Sequence, residues 1–177
     1  MIKLLDLLKE DNPFVPRGGK ERIENFRKNQ IPQYIEDGME GDLNLADTPI
    51  TSLPPNLTRV GGDLDLYGTK ITELPDNLTA VEGDLYLDET EITKLPDNLT
   101  VEGDLYLSST PITSLPNNLT VEGDLYLSKT KITELPKNLT VGGDLYLSYT
   151  PISEKYSEEE IRAMVPNVEG EIYKQNL

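Results

Sequence analysis

The feature that most limits what this chain can become is that it repeats. Leu95 to Ser114 reads LPDNLTVEGDLYLSSTPITS, and Leu115 opens a near copy, LPNNLTVEGDLYLSKTKITE. The Gly-Asp-Leu signature starts at Gly41, Gly62, Gly83, Gly103, Gly123 and Gly143, giving spacings of 21, 21, 20, 20 and 20 residues. A unit this short carries apolar surface that it cannot bury alone, so the fixed period predicts a solenoid of stacked turns.

Within a unit, Val101, Gly103, Leu105 and Leu107 alternate with Glu102, Asp104, Tyr106 and Ser108, which is the period of a strand with one face buried. Leu105 and Leu107 are expected to point inward, with Leu99, Ile112 and Leu115 lining the other walls. Pro111, Pro116 and the Asn-Leu-Thr turn keep the return path extended or turned rather than helical. Two polar rows recur, Thr48, Thr69, Thr90, Thr110, Thr130 and Thr150, and Asn56, Asn77, Asn98, Asn118 and Asn138. Both are expected to satisfy backbone groups where the coil bends. The five Asn-Leu-Thr triplets match a glycosylation sequon only because the repeat generates them.

The segment Leu105-Tyr-Leu107-Ser-Ser-Thr110-Pro-Ile112-Thr-Ser-Leu115-Pro116 resembles the leucine-rich-repeat pattern LxLxxNxLxxLP, with Thr110 at the position where that family usually has Asn. The short period and the Leu-Pro pair are similar to the class found in bacterial effectors. The GDLYL form resembles repeat proteins of bacteria and bacteriophages. The resemblance covers residues 39–153 and implies a curved parallel sheet whose concave face binds proteins.

The fold expected is therefore an α/β repeat solenoid, a curved parallel β-sheet of about seven strands with helical caps at both ends. Residues 1–38 form the N-terminal cap, residues 39–153 six repeats, and residues 154–177 a C-terminal capping helix and last strand. Helical spacing is read over residues 2–10 and 20–29, with Pro32 restarting a helix that ends near Gly38. The first helix either covers the open end of the solenoid or offers Leu4, Leu5, Leu7 and Leu8 to a partner. In the tail, Ser157 and Glu160 form a capping box for a helix over about 158–164, ended by Pro166. Val168-Glu-Gly-Glu-Ile-Tyr173 then copies Val121-Glu-Gly-Asp-Leu-Tyr126 and predicts a seventh strand.

Composition narrows the chemistry. The 177 residues include no Cys, His or Trp, which removes disulfides, thiolate nucleophiles, imidazole catalysis and the usual zinc ligands. The formal charge of −16 divides unevenly. Residues 1–38 carry seven acids and seven bases, residues 39–153 carry 19 and six, and residues 154–177 carry six and three. The acidity thus belongs to the repeats, which argues against direct binding of nucleic acid or an anionic membrane and favours a basic protein. No targeting segment or membrane span is read, and a cytoplasmic location, of a bacterium or of an infected host, is expected.

Strand parity sends three rows outward. The first is Asp42, Asp63, Asp84, Asp104, Asp124 and Asp144, with Glu171 in the last strand. Each Asp either caps its own tight Gly turn or contributes to a site for a cation or a basic partner. The second row is Asn44, Asp65, Tyr86, Tyr106, Tyr126, Tyr146 and Tyr173, and the third Ala46, Tyr67, Asp88, Ser108, Ser128 and Ser148. Glu40, Glu82, Glu102, Glu122 and Glu169 flank them, interrupted by Gly61 and Gly142. Tyrosines pack well on each other in a ladder, yet exposed Tyr bordered by carboxylates also has the composition of a protein-binding face.

The partner-binding set is accordingly Tyr86, Tyr106, Tyr126, Tyr146, Tyr173, Asp65, Asp84, Asp104, Asp124, Asp144, Glu82, Glu102, Glu122 and Asp88, with no catalytic residue, metal or cofactor assigned. The function expected is a non-enzymatic interaction module that grips a basic protein. A specific form is a phage-type inhibitor that imitates nucleic-acid charge and blocks a host nucleic-acid-handling or defence protein. The alternative is a structural or assembly protein with cations on the Asp row. An enzyme with paired carboxylates gains no support from abundant carboxylates on a regular surface, because no pair is set apart.

Overall fold

The computed structural model describes residues 31–174. The helices expected over 2–10 and 20–29 lie outside these residues. The described chain begins with α1 (Ile31–Glu36), which buries Ile31 and Tyr34 against the first turn of the solenoid. The Tyr34 hydroxyl donates to the Met39 and Gly41 carbonyls at 2.9 and 2.8 Å and accepts from the Gly61 N–H. Gly38 at φ 88° and Met39 at φ 61° turn the chain out of the helix, close to the expected stop.

The repeats form two parallel sheets. One has seven strands, β1 (Leu43–Asn44), β3 (Leu64–Asp65), β5 (Leu85–Tyr86), β7 (Leu105–Tyr106), β9 (Leu125–Tyr126), β11 (Leu145–Tyr146) and β12 (Ile172–Tyr173), in that spatial order. The other has five, β2 (Arg59–Val60), β4 (Ala80–Val81), β6 (Thr100–Val101), β8 (Thr120–Val121) and β10 (Thr140–Val141), again in rung order. Like positions pair throughout, Leu85 with Leu105 and Val101 with Val121, so each turn sits in register on the last. The architecture is a parallel β-solenoid whose core is a stack of Leu, Ile and Val. In the central rung Leu99, Val101, Leu105, Leu107 and Ile112 are fully buried and Leu115 nearly so. Each contributes about 1.5–3 kcal/mol by burial.

Two expectations need correction. Residues 101–107 are not one strand, because the chain turns a corner at Glu102-Gly103-Asp104 and so builds the second sheet. The α/β description does not hold within the repeats either, since their return paths carry no helix. Among the described residues helix is confined to α1 and then to α2 (Pro151–Lys155) and α3 (Glu158–Met164). The capping box of α3 is the expected one, Ser157 with Glu160, and β12 is the expected seventh strand. The short α2 was not expected. It starts where Thr150 and Ser153 cap each other reciprocally, at a point where earlier repeats run on as extended chain.

The Thr row closes the bend after each of the first six strands of the larger sheet. Each hydroxyl donates to the carbonyl three residues back, as Thr110 does to Leu107 at 2.7 Å. The residue just before it adopts the left-handed conformation, in Asp47, Gly68, Glu89, Ser109, Lys129 and Tyr149, with φ between 55° and 64°. The Asn row is less regular and exposed, with Asn118 donating to the Asn98 side chain and Asn77 to the Pro55 carbonyl.

Candidate functional site

The corner explains the Asp row. On the smaller sheet N–H groups donate back to the preceding rung, as Glu102 does to the Val81 carbonyl, and Gly103 continues this by donating to Gly83. From Leu105 onward the direction reverses, and N–H groups donate forward, Leu105 to the Asp124 carbonyl. The N–H of Asp104 falls between the two patterns, and the carboxylate of the preceding rung supplies its acceptor. Asp104 N–H donates to Asp84 Oδ1 at 2.8 Å, Asp124 to Asp104 at 2.8 Å, Asp144 to Asp124 at 2.7 Å and Glu171 to Asp144 at 2.8 Å. The capping inferred from the sequence is therefore present, but it reaches across to the next rung rather than to the residue's own turn. The signature glycine makes room for it, because a Cβ on Gly103 would fall onto the Asp84 carboxylate and the Gly83 backbone.

The second carboxylate oxygen meets the tyrosine row. Tyr86, Tyr106 and Tyr126 donate their hydroxyls to Oδ2 of Asp84, Asp104 and Asp124 at 2.8, 3.0 and 3.0 Å, and Tyr146 donates to Asp144 at 3.4 Å. The rings stack in one file from Tyr86 through Tyr106, Tyr126 and Tyr146 to Tyr173, with centroids 4.5 to 4.8 Å apart and planes within 12°. Near-parallel aromatic pairs at this separation add about 0.5–1.5 kcal/mol each. Burial and the adjoining Asp104 carboxylate push the Tyr106 phenol up to about 12, and burial first, then the Asp partner, raises Tyr86 and Tyr126 in the same direction. The inner rings consequently present edges, not faces, to solvent.

The remaining expected residues divide into two groups. Glu82, Glu102 and Glu122 stand exposed on consecutive rungs at the corner between the two sheets, two residues before the Asp row. Arg59 bridges Glu82 and Glu40 across the gap left by Gly61, whereas Glu102 and Glu122 have no ion pair among the described residues. Asp65 occupies a tyrosine position on β3, where it accepts from the Asn44 amide at 3.0 Å and the Tyr67 N–H at 3.1 Å. Asp88 sits in the third row with Oδ1 buried and without a hydrogen-bond partner, and burial raises its carboxyl against the opposing pull of Ser108. Tyr67, which the sequence reading left out of the site, is exposed beside it.

Among the described residues no three acids converge into a group able to hold a metal ion, and no helix is long and apolar enough to cross a membrane. The fold places the chain in the class of parallel β-solenoids with repeats of about 20 residues and Leu at regular positions. Beyond that class, no protein-family model matches the chain, and neither does any curated protein.

Proposed function

We propose that the protein is a non-enzymatic interaction module that binds a basic protein along the acidic flank of its tyrosine ladder. The observation that carries this is the file of exposed carboxylates at Glu82, Glu102 and Glu122, set one rung apart beside a stacked and hydrogen-bonded rail. The tyrosines serve chiefly as that rail. Apart from the outer faces of the two end rings, their faces are covered by one another, so they fix the pitch of the charges instead of supplying aromatic contact area. We further take the Leu105-Leu107-Ile112-Leu115-Pro116 spacing as grounds for grouping the chain with leucine-rich-repeat solenoids.

The narrower reading is an inhibitor that imitates nucleic-acid charge. Rungs of a sheet lie about 4.8 Å apart. On the three rungs that hold both an Asp and a Glu, from Glu82 to Asp124, there is a carboxylate for about every 2.4 Å of axis, against about one charge per 1.7 Å in duplex DNA. That density supports competition with DNA for a basic groove on a host nucleic-acid-handling or defence protein.

The test uses Glu82→Gln, Glu102→Gln and Glu122→Gln together, which removes three charges without touching the ladder. Tagged wild-type protein is passed through a lysate of its native cell. It is expected to retain a basic protein that added salt or duplex DNA displaces, while the triple variant, melting at the same temperature, does not. Equal retention by both proteins, or retention by neither, refutes the proposal.

A further inference from the structure

The tyrosine ladder does not run the length of the sheet. It stops at Tyr86, and the place one rung further, in register with it, is taken by Asp65. Among the described residues no ring stacks on the Tyr86 face that looks toward Asp65. Toward Asp65, Tyr86 thus presents a face that carries no ring, unlike the faces between Tyr86 and Tyr173.

The missing ring leaves a second deficit. On every rung from β5 to β11 the Asp two residues before the tyrosine accepts the phenol hydroxyl at Oδ2. Asp63 has no such donor, because residue 65 is not a tyrosine. Its Oδ1 caps the Asp84 N–H at 2.8 Å, but its Oδ2 receives no hydrogen bond from any described residue. Two residues beyond Asp65 and Tyr86, the third row places Tyr67 and Asp88 side by side. These two rungs therefore read Asp-Tyr over Tyr-Asp, where the rungs that follow read Tyr-Ser. The orphan oxygen of Asp88 belongs to this block, and no Lys or Arg among the described residues pairs with Asp63, Asp65 or Asp88.

Building on the reading that a basic protein lies along this face, we propose that the step at Asp65 seats an arginine side chain of that partner in the place of the missing tyrosine. A guanidinium is planar, so it stacks on this face of Tyr86 as the next ring would have done. Its N–H groups point outward in that plane, toward Asp63 Oδ2, which lacks its phenol donor, and toward the Asp65 carboxylate. A lysine ammonium supplies the charge but neither the flat face nor the fork of donors. The Glu file then draws the rest of the basic segment along the rail from this fixed point.

The experiment titrates a tri-arginine peptide into the full chain and follows the tyrosine ring signals by NMR, with a tri-lysine peptide in parallel. Saturable shifts centred on Tyr67 and Tyr86, with tri-lysine at least several-fold weaker, are expected. Asp65→Tyr completes the ladder and fills the step, so it is expected to weaken tri-arginine binding at least tenfold without lowering the melting temperature. Asp65→Asn keeps the side-chain shape, removes the charge and is expected to weaken binding in the same direction. Shifts spread evenly along the Glu file, equal binding of the two peptides, or unchanged binding in a folded Asp65→Tyr or Asp65→Asn variant overturn the proposal. Loss of the cellular partner in the triple Gln variant, with retention by both Asp65 variants, removes the arginine seat and leaves the acidic-face reading standing. Retention by all of them removes both.

Discussion

Removing one carboxylate from the middle of the ladder separates the structural role of the Asp row from a role of its charge. Asp104 accepts the Asp124 N–H at 2.8 Å and the Tyr106 hydroxyl at 3.0 Å. Hydrogen bonds to charged groups contribute about 1.5–3 kcal/mol each, so Asp104→Ala forfeits about 3–6 kcal/mol. Against this stands relief from the carboxylates of Asp84 and Asp124 one rung away on either side, about 1 kcal/mol each near the dielectric of water and more where water is displaced. With about 1 kcal/mol of relief from each neighbour, the net expected cost of the alanine is about 1–4 kcal/mol. Asp104→Asn keeps an oxygen for the Asp124 N–H, presents an amide that donates to the phenol oxygen, and removes the same repulsion. It is expected to lie within about 1 kcal/mol of wild type. At about 2–4 °C per kcal/mol for a chain of this size, thermal unfolding should put the alanine variant about 2–16 °C below wild type, with the asparagine variant above it and within a few degrees of wild type. An asparagine as damaging as the alanine would mean that the charge itself is needed. Added calcium or a chelator shifting the wild-type melting point, and not that of either variant, would locate that need in a cation and refute the capping argument.

Asp88→Ser gives this rung the residue found in the next three and removes a buried oxygen without a partner, so it is expected to stabilise the fold by about 1 kcal/mol. Because burial raises the Asp88 carboxyl, its penalty is absent in acid and grows as pH rises through the ordinary carboxylate range. Denaturant melts should therefore show the gain from Asp88→Ser at neutral pH and lose it at low pH. Tyr106, raised from 10.0 to about 12, contributes stability that is complete below the lower value and lost as pH rises through the higher. Absorbance of tyrosinate in the folded protein should lag behind that of the unfolded chain across this window, and coincident titrations would contradict the phenol-to-carboxylate bonds. Lys129 holds φ 61° at a position where another repeat has Gly68. Lys129→Gly is expected to raise stability by about 0.5–1 kcal/mol in chemical denaturation, whereas a loss would show that its side chain matters more than its backbone.

How far the fold was legible depended on whether a signal lay within one repeat or between repeats. The period, the inward Leu105 and Leu107, the capping box at Ser157 and the last strand at Ile172–Tyr173 are all local copies or local spacings, and the structure contains each of them. The corner at Glu102-Gly103-Asp104 was not legible. Val101 and Leu105 are both buried, one on each side of the bend, so their spacing imitates a straight strand of period two. The α2 helix was hidden because Thr150-Pro151-Ile152-Ser153 matches Thr110-Pro111-Ile112-Thr113 until the serine side chain folds back on the threonine. The Asp caps join residues 20 or 21 apart, and 27 apart at the last rung, and only the stacking of turns brings them together. The candidate face shows the same division. The sequence marked the Tyr and Asp rows and offered mutual packing of the rings as one of two readings, but it did not decide between them or show that the break at Asp65 leaves one Tyr86 face without a ring.

The Asp bonds all run one way, each carboxylate holding the N–H of the rung that follows it. A file of identical one-way links has no preferred length. A whole turn of 20 residues taken from the centre, or added there, restores the same neighbours above and below. Among the described residues the progression reaches Glu171, whose side chain lies 3.7 Å from Arg162 of α3. The reach of the face is thus a quantity that duplication or deletion can set in steps of about 4.8 Å, with no other part of the protein redesigned.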